Sequence, residues 1–194
     1  MEWKKAEIED LKRIYPRIPQ DFAVNEYPQQ EFMEQMMNQG LMEGMIFSRN
    51  GKECGYAFYQ FGTQYRVVLL SLLAVFAEYR GTGAGQEILS LLKEIFQDWN
   101  GLYAEVEKPE FGENEQEKDL RNRRIRFYER SGFVQGIREN HYVMWGVPYR
   151  IMILPLKKPV SWLDDCTRPA FHDIYDKILT SKNAHRMVFD PPKA

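Results

Sequence analysis

Residues 79–89 read YRGTGAGQEIL, with glycines at 81, 83 and 85 directly ahead of an apolar helical pattern. Glycine gives up more conformational freedom on folding than any other residue, so three of them at one helix mouth ask for a reason. In front lies VVLLSLLAVFA, residues 67–77, which reads as a mostly buried strand. Behind, Ile88, Leu91, Leu92 and Ile95 recur on one side of a helix predicted over 84–99, with Gly101 ending it. A strand that feeds glycines into a helix leaves the first-turn amides without partners, at the positive end of the helix dipole. Such a turn suits an anion, most naturally a phosphate. Arg80 either adds a charge there or supports the loop. The Walker pattern needs Lys-Ser or Lys-Thr after its last glycine, and Gln86-Glu87 stands there instead. The G-x-G-x-G spacing, after two meandering strands, also fits a dinucleotide fingerprint poorly. A glycine-rich turn with no ligand is the plainer alternative.

Working outward, residues 42–61 carry two strand-like runs, GMIFSR and ECGYAFYQF, around Asn50-Gly51, a two-residue hairpin signal. Helices are predicted over 7–14 and 30–39, separated by Pro16, Pro19 and Pro28 and closed by Gly40. On the other side LYAEVE alternates as a strand over 102–107, residues 109–117 form an acidic loop, and a helix follows over 119–130 to Ser131-Gly132. FVQGI and YRIMILPL are two closing strands, KKPVSWLDD is a connector, and a last helix spans 170–179. The order is α-α-β-β-β-α-β-α-β-β-α, a mixed α/β chain around one open sheet.

At 194 residues the chain has room for one domain with an appendage, and 44% hydrophobic content can build its core. A formal charge of −2 demands neither nucleic acid nor an anionic membrane as partner. Cys54 and Cys166 are far apart and in no metal-like spacing, so no metal site is expected. No run is long enough to span a membrane and no secretory pattern opens the chain, which together suggest a cytoplasmic protein.

Two motifs then carry a resemblance. LLAVFAEYRGTGAGQEIL, residues 72–89, resembles the central motif of the GCN5-related N-acetyltransferases (GNAT), [QR]-x-x-G-x-[GA], with Arg80, Gly83 and Gly85 at its marked positions. NRRIRFYERSGF, residues 122–133, resembles the family helix that carries a tyrosine four residues before Gly-Phe, here Tyr128, Gly132 and Phe133. The resemblance covers residues 4–156 and implies the acyl-CoA N-acyltransferase fold, with 1–156 as the domain and 157–194 as an extension that packs on it, covers the acceptor cleft or docks a partner subunit, as in a homodimer.

It further implies acetyl-CoA as co-substrate. The pantetheine would pair with the main chain of Leu73, Ala74 and Val75, and the diphosphate would lie on Arg80, Gly81, Thr82, Gly83, Ala84, Gly85 and Gln86. Tyr128 would be the general acid, since a phenol of ordinary pKa about 10 is protonated at neutral pH. Alternation puts Tyr103, Glu105 and Glu107 on one strand face, suited to a wet cleft; Glu105 falls where some bacterial members carry a general base, and Glu107 beside it would raise its pKa. Many relatives have an asparagine seven residues before the tyrosine; Arg121 stands there, among Arg123, Arg124, Arg126 and Arg130. These arginines form a solvated face balanced by the acidic loop, or hold CoA phosphates or an acidic substrate group. The acceptor, a small-molecule or protein amine, would be chosen by residues 18–41, with Phe22, Tyr27 and Phe32, and by loops near Pro109 and Asn140. Two other readings of the same fold stay open: a non-catalytic acyl-CoA-binding or sensing module, and a protein-interaction module.

Overall fold

The hairpin at Asn50-Gly51 forms as its sequence predicts, both residues taking positive φ (53° and 71°). The computed structural model describes residues 1–23, 26–179 and 183–190; parts of the acceptor segment and of the C-terminal extension lie outside them. The chain divides into two compact units, Met1–Phe61 with Leu70–Leu92, and Gly62–Leu69 with Lys93–Ala194.

The first unit opens with β1 (Glu2–Lys5), followed by α1 (Ile8–Ile14), α2 (Ile18–Asp21) and α3 (Gln30–Asn38). Strands β2 (Glu43–Arg49) and β3 (Lys52–Gly62) form the hairpin, and β4 (Val67–Val75) contributes residues 70–75. The strand order is β1-β2-β3-β4, with β1 antiparallel to β2 through Trp3 opposite Phe47. Every residue of β1 is exposed, so no apolar alternation marks this strand in the sequence. Helix α4 (Ala84–Ile95) ends four residues earlier than predicted and buries Ile88 and Leu92 of the predicted stripe together with Leu89, while Leu91 and Ile95 are half-buried. Leu11, Ile14, Met33, Met36, Phe47, Tyr56 and Phe58 are among the other buried residues of this unit.

The second unit contains β5 (Gly101–Glu107), α5 (Glu115–Glu129), β6 (Val134–Gln135), β7 (Val143–Met144), β8 (Val147–Pro155), α6 (Val160–Tyr175) and β9 (Met187–Val188). β5 pairs antiparallel with β8 along its whole length, from Gly101 opposite Pro155 to Glu107 opposite Tyr149. Two helices start earlier than predicted. α5 begins within the acidic stretch because Asn114 accepts the Glu117 amide at 2.9 Å and Glu115 and Glu117 suit a helix N-terminus. α6 begins at Val160 and runs through Pro169; residues 176–179 are turn rather than helix. The buried side of α6 gives Leu163, Ala170, Phe171, Ile174 and Tyr175 to a core shared with Tyr103, Tyr142, Tyr149, Ile151 and Ile153.

Candidate active site

The glycine turn lies wholly in the first unit. A short 3₁₀ turn over Ala77–Tyr79 ends β4, Arg80 is extended, and Gly81 and Gly83 adopt φ of 74° and 85° before α4 starts at Ala84. These left-handed angles disfavour residues with a Cβ. A Cβ at either position would meet nothing within 4 Å, so the glycines serve backbone conformation and leave the outer side of the turn open. Among the described residues, the amides of Gly81, Gly83, Ala84 and Gly85 have no hydrogen-bond partner. The Thr82 amide donates to the Tyr79 carbonyl at 3.4 Å, and those of Gln86 and Glu87 to the Gly83 carbonyl at 3.1 and 3.2 Å. These are four unpartnered amides at one helix N-terminus, on exposed Gly81 and Gly83, half-buried Gly85 and buried Ala84, an arrangement that suits an anion.

Side chains brace this turn from behind. Arg80 Nε donates to the Val75 carbonyl at 3.0 Å, and its guanidinium pairs with Asp21, which also accepts from the Tyr56 hydroxyl at 3.0 Å. Of the two roles open to Arg80, loop support is the one these bonds describe. Thr82 Oγ1 donates to the Tyr79 carbonyl at 2.7 Å and accepts from Arg49 at 3.0 Å, while Arg49 also holds Glu87 at 2.5 Å. Along β4, Leu73 and Val75 are half-buried and Ala74 is buried.

In the second unit, α5 ends in a Schellman pair: the Phe133 amide donates to the Tyr128 carbonyl at 3.1 Å and the Gly132 amide to the Glu129 carbonyl at 3.0 Å, with Gly132 at φ 90°. The reversal stacks the Phe133 ring edge-on to Tyr128 at 5.0 Å, which fixes the phenol's place. Tyr128 is half-buried, and its hydroxyl has no hydrogen-bond partner among the described residues. Burial pushes its pKa up to about 12, against the pull of Arg124, so it stays protonated across the neutral range.

The face of β5 is not the wet cleft expected. Tyr103 is fully buried and donates to the Leu163 carbonyl at 2.6 Å. Glu105 accepts the Tyr142 hydroxyl at 2.5 Å on one oxygen and the Tyr175 hydroxyl at 2.8 Å on the other. Burial raises its pKa, and the two phenols oppose that rise; Glu107 plays no part in it. Glu107 is buried between Arg121, at 2.9 Å, and Arg124, at 3.1 Å. Arg121 also donates to the Lys108 carbonyl at 3.0 Å. These two arginines therefore neutralise a strand carboxylate rather than forming a solvated face, whereas Arg126 and Arg130 are exposed. Tyr142 and Tyr175 carry no local motif, and only their distance from a strand glutamate in space reveals them.

Residues 43–135 match the family model of the acetyltransferase (GNAT) domain. Over that stretch, just under half of its length, the chain is similar to an acetyltransferase (GNAT) domain. No curated protein matches it. Among solved structures, a GNAT-family acetyltransferase from Bacteroides thetaiotaomicron is similar in fold, at 19% identity and a TM-score of 0.72, over 89% of this chain and 96% of that one. The ribosomal-protein-S18-alanine N-acetyltransferase from Escherichia coli is 24% identical, with a TM-score of 0.56 over 81% of this chain and 95% of that one. A chimeric spermidine N-acetyltransferase from Vibrio cholerae is 18% identical, with a TM-score of 0.58 over 80% and 97%.

Proposed function

We propose that the protein moves the acetyl group of acetyl-CoA to a primary amine of a small molecule or protein by direct attack. The observation that carries this reading is the set of four unpartnered amides at Gly81, Gly83, Ala84 and Gly85, where the diphosphate of the donor would be bound. The main chain of Leu73, Ala74 and Val75, at the end of the strand that leads into this turn, would pair with the pantetheine arm.

In this reading the amine nitrogen attacks the thioester carbon, the carbon–sulfur bond breaks, and Tyr128 gives its proton to the departing thiolate. Its hydroxyl has no competing acceptor, and its raised pKa keeps the proton in place until the departing sulfur takes it, at the cost of making the phenol a weaker acid. Glu105, whose pKa is raised by burial, takes the proton that the amine releases. Holding the amine and thioester together supplies much of the remaining acceleration. No helix among the described residues is long and apolar enough to cross a membrane, and supply of acetyl-CoA is the reason to place the protein in the cytoplasm.

The test is CoA release with spermidine, an alanine peptide and a panel of small amines as acceptors. Tyr128→Phe is expected to lower turnover at least about 100-fold while acetyl-CoA affinity stays within about twofold. Tight acetyl-CoA binding with no turnover on any amine would favour a sensing module. Full activity in Tyr128→Phe would remove the acid role.

A further inference from the structure

Glu105 is held by residues from two places far along the chain. Tyr142, from the loop before β7, and Tyr175, in the last turn of α6, each give a hydroxyl hydrogen to a different carboxylate oxygen, at 2.5 and 2.8 Å. Tyr142 is fully buried and Tyr175 is 8% exposed, so neither phenol has water as a ready alternative partner. Rings fix both side chains: Phe171 of α6 packs edge-on to Tyr142 at 5.3 Å and lies 6.0 Å from Tyr175.

Helix α6 also anchors the loop that carries Tyr142. Arg168 grips Glu139 through both oxygens, at 3.0 and 2.9 Å, and the Tyr142 amide donates to the Glu139 carbonyl at 3.2 Å. Just before Glu139 in the same loop, Asp164 accepts the Ile137 amide at 3.1 Å and the Arg138 amide at 3.3 Å. α6 thus supplies one phenol and positions the other.

We infer that Tyr142 and Tyr175 are positioning residues that hold the Glu105 carboxylate ionised and fixed in direction, so that the C-terminal helix is part of the catalytic apparatus. The inference rests on the reading of Glu105 as the proton acceptor.

Two neutral donors do here what a cation does elsewhere. A carboxylate in apolar surroundings tends to take up a proton, and a base that is already protonated cannot accept another. A cationic partner would keep it ionised but would make it a poor base, as an adjacent positive charge lowers carboxylate basicity. Phenol donors stabilise the charge more gently and leave lone pairs on both oxygens, since a carboxylate has about four acceptor positions. Within this unit, the titratable groups facing Glu105 are Tyr142, Tyr175 from α6 and, behind Tyr142 at 6.3 Å, Tyr149 from β8. Tyr103 of β5 turns its hydroxyl to Leu163, Glu107 is taken up by Arg121 and Arg124, and no cation pairs with Glu105 among the described residues.

The experiment is a pH titration of the full chain carrying side-chain ¹³C-labelled glutamate, with Glu105 assigned by its loss in Glu105→Gln. Removing one charge-assisted hydrogen bond by Tyr175→Phe or Tyr142→Phe is expected to raise the Glu105 midpoint by about one pH unit. Thermal melts establish which variants are folded, and either folded variant decides the question. A midpoint unmoved in the folded variants would overturn the inference. Turnover of Glu105→Gln with an amine found active tests the underlying reading separately: unchanged turnover there rejects the base assignment, whatever the titration gives.

Discussion

The turn at residues 81–85 offers main-chain amides, while the strand at Glu105–Glu107 offers carboxylates. The turn owes its character to backbone angles: two glycines at positive φ accompany four amides without a hydrogen-bond partner, and no side chain bonds to those amides. The strand owes its character to side chains that come from 37 and 70 residues away, since Glu105 is bare without Tyr142 and Tyr175. Within the strand, two identical acids, two positions apart, meet opposite surroundings. Glu105, half-buried, meets neutral phenols and a desolvation that raises its pKa, and Glu107 meets two guanidinium groups. A backbone site should therefore tolerate side-chain changes and fail when an angle is denied to it. A side-chain site should behave the other way round.

The largest stability effect that separates these two regions is expected at Glu107. Glu107→Ala leaves Arg121 and Arg124 without their common carboxylate and should cost about 3 kcal/mol in urea unfolding. A loss under about 1 kcal/mol would mean that the two arginines find other partners and that the ion pair is incidental. Next comes the turn. Gly83→Ala forces a Cβ into the left-handed region and should cost only about 1–2 kcal/mol of stability. Its acetyl-CoA dissociation constant, by calorimetry, should nevertheless rise at least about tenfold, because relaxing φ turns the Gly83 and Ala84 amides away. Thr82→Ala, in the same turn, should leave affinity nearly unchanged, and a large loss there would make the cradle a side-chain site after all.

The smallest effect involves a third carboxylate, Asp10. Burial pushes its pKa up, but Lys4, Arg13 and the Glu7 amide more than reverse this and hold it at about 2. A folded pKa below the unfolded 3.8 stabilises the fold above that value and loses the benefit as pH falls toward about 2. Scanning calorimetry should show the melting temperature dropping through this window, and dropping less in Asp10→Asn. Equal slopes for the two proteins would assign the acid sensitivity to other groups.

The contrast also explains what could be read from the sequence. The turn was legible because its cause is local: alternating glycines, an apolar strand before them and an amphipathic stripe after them all lie within residues 67–95. The place of Tyr128 near a helix end was legible for the same reason, as Gly132-Phe133 marks that end, whereas a role for it came only from the resemblance. β1 was not legible, because Glu2–Lys5 pairs with β2 by backbone alone and shows no apolar pattern. The start of α6 was hidden by Pro169, which usually breaks a helix but here lies inside one. The strand face was misjudged because alternation tells which side chains share a face and says nothing of what covers that face. Arg121 and Arg124, and not water, cover Glu107.

The most direct measurement is a ¹⁵N-amide NMR titration of the full chain with acetyl-CoA. The amides of Gly81, Gly83, Ala84 and Gly85 should show the largest shifts, saturating together with one dissociation constant, while that of Gln86, already bonded to Gly83, moves less. Binding that leaves those four amides unmoved, or no binding at millimolar ligand, would contradict the account.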